Sequence, residues 1–312
     1  MSRMENSIVD VIIPVYKPGE EFKELIRRLE LQKLKIRNII LMHTKDGNDL
    51  MNSEFLKGYD NIIIEEIETD EFDHGGTRDK GICNSDAEFV LCMTQDALPA
   101  DRGLTEKLLN ELKGADAAAA YARQLPRKDC SLLESYIRSF NYPKNSMIKS
   151  KDSLDSMGIK TYFCSNVCAL YRKDLYHKLG GFEKRTIFNE DMLYAAKCIQ
   201  NGYKIVYAAG ARVIHSHNYT NRQQFQRNFD LAVSQAQHPE IFEGIRSESE
   251  GIRMIKNTMM YLIRSGNPMM IITLIMSSAA KYSGYLAGKH YRALPRKIVK
   301  KCTMSPRYWE KG

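Results

Sequence analysis

The sequence predicts an α/β fold in which a mostly parallel, twisted sheet is flanked by helices. Short β-branched runs alternate with amphipathic segments along the first third of the chain, the rhythm of a doubly wound sheet. The run Phe89–Met93 is apolar without interruption, as expected of a strand buried on both faces. Polar loops follow the predicted strands, at the edge where open α/β sheets bind their ligands.

The composition is that of an ordinary globular protein, with 312 residues of which 43% are hydrophobic and 27% charged. This length accommodates one large domain and an appendage. The seven cysteines are scattered, which favours free thiols in a reducing cytoplasm over a zinc site. The N-terminal segment is polar and lacks the apolar core of a signal peptide, so we expect a cytoplasmic protein.

The net charge of +8 is concentrated at the C-terminus. Residues 251–312 contain twelve Lys or Arg and a single acid, Glu310, whereas the rest of the chain has a slight excess of acids. A nucleic-acid groove in the main part is therefore disfavoured, and a tail that contacts an anionic membrane is favoured. We predict a main domain at 1–238 and a C-terminal helical region at 239–312.

The N-terminal part is predicted to follow the order strand, helix, strand, strand, with a further helix between the last two strands left open. Pro14 and Tyr16 lie at the end of the first strand, and Asp46 lies in the polar loop after the second. Both positions belong to the ligand-binding edge of the sheet. The predicted elements are strands at 9–16, 39–42 and 62–67 and a helix at 20–34.

The segment Phe72–Gly81 contains two adjacent glycines and an arginine. Gly75 and Gly76 allow a ligand to approach the backbone closely, and Thr77 is expected to cap the helix that follows. That helix would direct its amino end and Arg78 at an anion. A capped loop without a ligand is the alternative, and the spacing matches neither a P-loop nor a GxGxxG motif.

Thr94-Gln95-Asp96 follows the buried strand, which puts a lone acid at the ligand-binding edge. The Asp96 carboxylate can bind a hard divalent cation through oxygen, with phosphate oxygens of a substrate completing the shell. The alternative is an acid that caps the next loop or helix.

The middle of the chain is less regular. The polar run 145–158 is predicted as a mobile loop over the site. Ser165 and Asn166 interrupt the apolar segment 162–172, so they either face the ligand or satisfy a neighbouring loop. The other predicted elements here are helices at 101–113, 131–140 and 175–181 and a strand at 117–121.

Asn189-Glu190-Asp191 opens a helix predicted at 192–201. These residues either cap the helix, whose dipole favours acids at this end, or supply a general base on a rigid, exposed helix start. Because the dipole lowers the pKa of a carboxylate, we expect such a base to act through its position rather than through high basicity.

His215 and His217 follow predicted strands at 204–207 and 211–214 and lie on the same side of a strand end. Each either binds a metal or is simply hydrogen-bonded. Arg227, in the first turns of a helix predicted at 221–237, either holds a diphosphate or acceptor or belongs to a solvated face.

The tail from Gly251 onward mixes apolar residues at helical spacing with basic ones. Its apolar segment 269–280 is shorter than the about 20 residues that span a bilayer. Aromatic and basic side chains in 281–301 suit an interfacial helix. Packing of the tail on the main domain or on a second subunit is the alternative.

Ordered blocks between residues 8 and 235 make the chain resemble a family 2 glycosyltransferase of the GT-A fold. More narrowly, the chain resembles the bacterial rhamnosyltransferases that build cell-surface polysaccharides. The blocks are VIIPVYKP (11–18), FDHGGTRDKG (72–81), MTQDALP (93–99), YARQLP (121–126), FNYP (140–143), FCSNVCALYR (163–172), NEDMLYAAK (189–197) and VIHSHNYT (213–220).

The resemblance implies inverting transfer of a sugar from a nucleotide-sugar donor, dTDP-L-rhamnose first, to a lipid-linked or growing glycan. It implies that Asp96 binds Mg²⁺ or Mn²⁺ with His217 or His215. It also implies that Asp191, beside Glu190, deprotonates the acceptor hydroxyl. The implied donor-binding residues are Pro14, Tyr16, Asp46, Gly75, Gly76, Arg78, Gln95, Asp96 and Arg227. The implied acceptor-binding residues are Ser165, Asn166 and Asn189.

The sequence departs from the family pattern at two places. The loop after the second strand reads HTKDG (43–47) in place of a DDGS-like sequence, and TQD retains one of the two DxD acids. Two other functions remain open: a sugar-phosphate nucleotidyltransferase, whose Gly-rich basic loop after the first strand is absent, and a non-catalytic glycan- or membrane-binding protein. We expect a peripheral protein on the inner face of the cell membrane that also forms homo-oligomers.

Overall fold

The computed structural model of the protein describes residues 8–47, 53–245 and 248–310. The centre of the described part is a sheet of nine strands. The strands are β1 (Val9–Val15), β2 (Ile39–Thr44), β3 (Ile62–Ile67), β4 (Phe89–Met93), β5 (Leu98–Pro99), β6 (Ala117–Leu125), β7 (Met147–Lys149), β8 (Cys168–Arg172) and β9 (Lys204–Ile214). Eight of them follow the order β3-β2-β1-β4-β8-β6-β9-β5, and β7 pairs with β9.

The fold is α/β, as expected, and the strand directions in its sheet are mixed. Neighbours within β3-β2-β1-β4 are parallel, as are β6 and β9. Strand β8 is antiparallel to both β4 and β6, and β5 and β7 are antiparallel to β9. Since only β8 is reversed between β4 and β6, the carboxyl ends of β1, β2, β4, β6 and β9 lie at one edge, together with the amino end of β8.

Helices cover both faces of the sheet because alternate residues of its buried strands point to opposite sides. Val11 and Ile13 of β1 pack in one core cluster with Leu25 and Leu108, whereas Ile12 belongs to a cluster on the other face. The helices are α1 (Glu20–Glu30), α2 (His74–Asn84), α3 (Leu104–Gly114), α4 (Leu132–Asn141), α5 (Leu154–Met157), α6 (Lys173–Lys178), α7 (Glu190–Gln200), α8 (Asn221–Gln237), α9 (Pro239–Phe242), α10 (Glu248–Arg264), α11 (Met270–Lys289) and α12 (Arg296–Cys302).

The prediction of a mobile loop at 145–158 is wrong. This run contains β7 and α5, and β7 pairs with the amino-terminal part of β9. Lys149, at the end of β7, is fully buried, and its Nζ donates to the Tyr121 hydroxyl at 3.1 Å and to the Lys160 carbonyl at 3.3 Å. A buried amino group that is held by such partners fixes the segment, and the polar sequence carries no sign of these long-range contacts.

Two other local predictions also fail. The strands predicted at 204–207 and 211–214 are one strand, β9, because a register shift at Ala122/Arg123 of β6 accommodates the intervening residues. Helix α2 is capped by Asp73 rather than by Thr77. The Asp73 carboxylate accepts from the backbone N–H groups of Gly75 and Gly76 at 2.8 and 3.0 Å.

The C-terminal helices pack on the main part of the molecule, as one of the alternatives for the tail predicted. Helix α11 lies along α8, and its glycines allow the two backbones to meet. A Cβ atom on Gly284 would lie 2.1 Å from the Phe225 carbonyl oxygen, and one on Gly288 would lie 2.3 Å from that of Phe229. Within the described residues, none of the helices combines the length and the apolar character that a bilayer crossing requires. The domain boundary at residue 238 stays a prediction.

We expect Gly284→Ala to destabilise the protein, because the added methyl group collides with a backbone carbonyl that cannot move without separating α11 from α8. Overpacking of this kind costs about 1–3 kcal/mol, which urea unfolding followed by circular dichroism measures. Gly114→Ala, at the end of α3, is the control: its Cβ meets nothing within 4 Å, so it should be neutral or slightly stabilising. Equal stability of the two variants would contradict the close α8–α11 contact.

Candidate active site

The candidate residues meet at one edge of the sheet because of the strand directions. Asp96 follows β4, Gln124 is near the end of β6, and His215 and His217 follow β9. Asn166 precedes β8, whose reversed direction brings its amino end to the same edge. Residues far apart in sequence are thus placed together by the topology.

Asp96, His215 and His217 form a compact cluster. Oδ2 of Asp96 lies 3.5 Å from Nε2 of His215 and 3.3 Å from Nε2 of His217. One donor atom from each side chain lies within 4.8 Å of the other two. A carboxylate oxygen and two imidazole nitrogens converging in this way are a donor set for a divalent cation.

The ionisation of this cluster suits a cation. Burial disfavours the charged form of Asp96, but the contacts with His215, Thr94 and His217 hold the pKa of Asp96 well below its usual range. Burial and the neighbouring His215 lower the pKa of His217 to about 4, although Asp96 opposes this. At neutral pH the carboxylate is therefore ionised and His217 is neutral, which are the states in which both bind metals.

Gln124 connects this cluster to the start of β8. Its amide donates to Oγ of Ser165 at 3.0 Å, and its Oε1 lies 3.1 Å from Nδ1 of His215. The residue after Ser165, Asn166, contacts the acids of α7. A path of polar contacts, with one covalent step from Ser165 to Asn166, thus runs from Asp96 to those acids. Nothing in the local sequence marks Gln124, because its side-chain partners come from distant parts of the chain.

Asn166 holds both acids at the start of α7. Its backbone N–H donates to Oδ2 of Asp191 at 2.8 Å, and its side-chain amide donates to Oε1 of Glu190 at 3.1 Å. The Tyr171 hydroxyl donates to Oδ1 of Asn166 at 2.7 Å. Both polar atoms of the Asn166 side chain are thereby engaged, and the second oxygen of Asp191 accepts from the Met192 N–H at 2.8 Å.

Glu190 forms a buried ion pair with Arg78. Nη1 of Arg78 lies 3.0 Å from Oε1 of Glu190 and also donates to the His74 carbonyl at 2.9 Å. Burial disfavours ionised Glu190, but the charges of Arg78 and His74 and the bond from Asn166 outweigh it and lower its pKa. Burial lowers the pKa of His74. Glu190 is therefore a fixed negative charge beside Asp191.

The pKa of Asp191 is raised, which contradicts the expectation that the helix dipole lowers it. Loss of hydration and the negative charge of Glu190 raise it well above the usual 3.8, in opposition to the two backbone N–H bonds and Arg78. The effect of the helix dipole on Asp191 is outweighed by burial and by the adjacent charge of Glu190. Asp191 is thus held in place and is also a stronger base than an ordinary aspartate.

The loops after β1, β2 and β4 are joined by hydrogen bonds. The Gln95 side chain accepts from the Tyr16 N–H and donates to the Tyr16 carbonyl, both at 2.9 Å. The Asp46 carboxylate accepts from the Lys17 N–H at 2.5 Å. His43 is buried; neither of its ring nitrogens has a hydrogen-bond partner among the described residues, and its Nε2 lies 3.6 Å from Oδ1 of Asp46. Pro14 lies in β1, half-buried, while the Tyr16 ring is exposed.

The two glycines of α2 face protein rather than open space. A Cβ on Gly75 would lie 2.0 Å from the Glu183 carbonyl oxygen, and Gly76 lies against Asp73. The first N–H groups of α2 are bound by Asp73, so they do not point freely at an anion. The donor-binding role of both glycines stays a prediction.

Arg227 and Asn189 lie near the same edge. The Arg227 guanidinium is exposed and stacks over the rings of Phe188 and Tyr219, at 4.7 and 5.7 Å from their centres. Within the described part of the chain it forms no ion pair. Asn189 adopts a φ of 65°, a left-handed conformation that asparagine tolerates well, at the turn into α7. This backbone requirement gives Asn189 a structural role whether or not it binds an acceptor.

Comparison with known proteins identifies the family. The family model described as Glycosyl transferase family 2 matches residues 10–180. The O-antigen chain rhamnosyltransferase WbaN of Salmonella anatum is 38% identical over 304 residues, covering 96% of this chain and 95% of that protein. The O-antigen chain rhamnosyltransferase RfbN of Salmonella typhimurium is 36% identical over 305 residues, with 96% of each covered.

Solved structures share the fold at low identity. The mannosyltransferase PcManGT of Pyrobaculum calidifontis, in complex with GDP-Man and Mn²⁺, has a TM-score of 0.55 and 15% identity over 97% of this chain and 85% of its own. S. aureus TarS 1–349 has a TM-score of 0.52 and 14% identity, with 91% of each chain covered. The fold is that of the GT-A glycosyltransferases, and the chain belongs to glycosyl transferase family 2.

Proposed function

We propose that the protein is an inverting rhamnosyltransferase that transfers L-rhamnose from dTDP-L-rhamnose to a lipid-linked or growing cell-surface glycan. The observation that carries this proposal is the pair of differently tuned carboxylates at one sheet edge. Asp96, with its lowered pKa, lies in the histidine cluster, while Asp191, with its raised pKa, lies at the helix start. The two O-antigen rhamnosyltransferases that are 36–38% identical to the chain support the choice of sugar.

The cluster Asp96, His215 and His217 fits a divalent cation by its donor chemistry and its ionisation. A bound cation would neutralise negative charge on the departing diphosphate. Two imidazole nitrogens suit Mn²⁺ better than Mg²⁺, which prefers an all-oxygen shell. Asp96 contributes the negative charge of the site, and His215 and His217 contribute imidazole nitrogen donors.

Asp191 removes the proton from the acceptor hydroxyl. As the acceptor oxygen forms its bond to the anomeric carbon, the bond from that carbon to the diphosphate breaks, and the proton passes to the Asp191 carboxylate. A single displacement of this kind inverts the anomeric centre. The N–H groups of Asn166 and Met192 hold the carboxylate, and Glu190 maintains the charge that strengthens the base.

The exposed loop residues would bind the donor. Tyr16 presents an exposed ring that can stack on a base, and Gln95 fixes the backbone below it. Arg227, which is exposed and forms no ion pair within the described residues, is available to a diphosphate. Arg78 is committed to Glu190, so we assign it an electrostatic effect on the site rather than a direct contact. Ser165 and Asn166 would shape the acceptor side.

The hairpin of α10 and α11 is proposed to rest on an anionic membrane, where a lipid-linked acceptor is found. It carries nine of the sixteen large apolar side chains that are exposed in the described residues. Apart from Glu248 and Glu250 in the first turn of α10, every charged residue of the hairpin is basic, so an identical copy would bring mostly like charges together, whereas anionic lipid complements them. The nine are Ile252, Met260, Ile263, Met269, Ile272, Ile275, Met276, Tyr282 and Leu286.

Asp191→Asn should remove the base and lower kcat about 10²–10⁴-fold in transfer from dTDP-L-rhamnose, because general-base catalysis contributes about this much. Its melting temperature should stay near that of the wild type. Asp155→Asn, a change of the same kind on the exposed surface of α5, is the control and should transfer normally. Near-normal turnover by Asp191→Asn would remove Asp191 from the role of base.

Donor and metal binding are tested by melting temperature with a panel of nucleotide sugars. We expect dTDP-L-rhamnose with Mn²⁺ to stabilise the protein most, since ligand at about 100 times its Kd adds about 2.7 kcal/mol. Asp96→Asn should lose the part of the melting-temperature increase that depends on Mn²⁺, while Asp155→Asn should retain it. A larger increase in melting temperature with another nucleotide sugar would contradict dTDP-L-rhamnose as the donor. If Mn²⁺ raised the melting temperature of Asp96→Asn as much as that of the wild type, the proposed metal site would be wrong.

The membrane proposal is tested by co-sedimentation with vesicles of phosphatidylglycerol and phosphatidylcholine. The wild type should pellet with anionic vesicles, less so at high salt, and the double variant Ile272→Glu/Ile275→Glu should stay in the supernatant. Ile148→Glu changes an equally exposed residue on β7 and should behave as the wild type. If the double variant instead dissociates an oligomer and vesicles bind neither protein, this surface is a subunit interface.

A further inference from the structure

Gln124 lies at the junction of the two halves of the site with all its side-chain polar atoms engaged. The residue is 3% exposed. Its Oε1 lies 2.6 Å from Nη1 of Arg138 and 3.1 Å from Nδ1 of His215, and its Nε2 donates to Oγ of Ser165 at 3.0 Å. No other buried side chain joins the histidine cluster to the segment before β8 in the contacts of the described residues.

The contact with Arg138 determines where the hydrogen of His215 is. A guanidinium only donates, so the Gln124 atom that faces it is the amide oxygen whichever way the amide is placed. The same oxygen faces Nδ1 of His215, so Nδ1 must be the nitrogen that carries hydrogen. In a neutral imidazole the lone pair then lies on Nε2, the atom that faces Asp96 at 3.5 Å.

We propose that Gln124 is a positioning residue that sets the tautomer of His215 and so keeps Nε2 available to a divalent cation. This inference rests on the metal site of the proposed function. A histidine with the opposite tautomer would direct an N–H at the Asp96 carboxylate, form a hydrogen bond with it and lose its metal-binding lone pair. Partners of this kind, behind the ligands, typically affect metal affinity about 10–100-fold.

The two functions of the amide can be separated by substitution. Gln124→Met has a similar length but offers His215 and Arg138 no oxygen. Gln124→Glu retains an acceptor for both and loses only the donation to Ser165. A merely structural role would be disturbed by either change, whereas the proposed role is disturbed by Gln124→Met alone.

Mn²⁺ binding, measured by the loss of the free-ion signal in electron paramagnetic resonance, is the first test. We expect Gln124→Met to bind Mn²⁺ about 10–100-fold more weakly than the wild type, and Gln124→Glu to bind nearly as well. Equal affinity of Gln124→Met and wild type, or equal loss in both variants, would overturn the role of Gln124 and leave the metal site intact. Absence of Mn²⁺ binding by the wild type would overturn the metal site and this inference together.

The second test needs neither the metal nor the folding of Gln124→Met. Nitrogen-15 NMR of the metal-free, histidine-labelled protein above neutral pH reports the tautomer of each ring, and His215→Gln assigns the signal. We expect His215 to be the Nδ1–H tautomer in the wild type and in Gln124→Glu. An Nε2–H tautomer in the wild type would overturn the inference even if Mn²⁺ binds.

Discussion

The buried ion pair between Arg78 and Glu190 is the interaction on which the rest of the site depends. It joins α2 to the first residue of α7, and it is the reason that a carboxylate with little access to water stays ionised. Removing one partner of such a pair costs about 3–5 kcal/mol, because the other charge is left buried and alone. The pair is therefore both a structural connection and the source of the field that Asp191 experiences.

The two carboxylates of the site have different surroundings, and these give them different roles. Asp96 is surrounded by hydrogen-bond donors and histidines, and its pKa falls; Asp191 is next to a permanent negative charge, and its pKa rises. When the environments of two carboxylates shift their pKa values in opposite directions, the two groups can be assigned separate roles in catalysis. Here the assignment agrees with family membership, which decides against a nucleotidyltransferase and against a protein without catalytic activity.

Much of the fold could be predicted from the sequence, because local patterns specify it. The strand at Phe89–Met93 and helix α8 at 221–237 have the bounds that the pattern predicts. Asp96 and the two histidines could be anticipated because strand ends bring ligand-binding residues to one edge. The reversed direction of β8, the β7 strand and the pairing of Gln124 depend on partners far along the chain. Local periodicity carries no information about such partners. It also carries none about the burial that raises the pKa of Asp191, so that shift could not be predicted.

The absence of a side chain at Gly75 allows α2 to pack closely against the segment before α7. Because the Glu183 carbonyl occupies the space that a methyl group would fill, and because Asp73 also binds the Arg185 N–H, α2 interlocks with the segment that leads to α7. Neither part can shift without carrying the other. Arg78 and Glu190 are therefore carried by two parts of the chain that are held together, which keeps the charge pair beside Asp191 at a constant distance from the base.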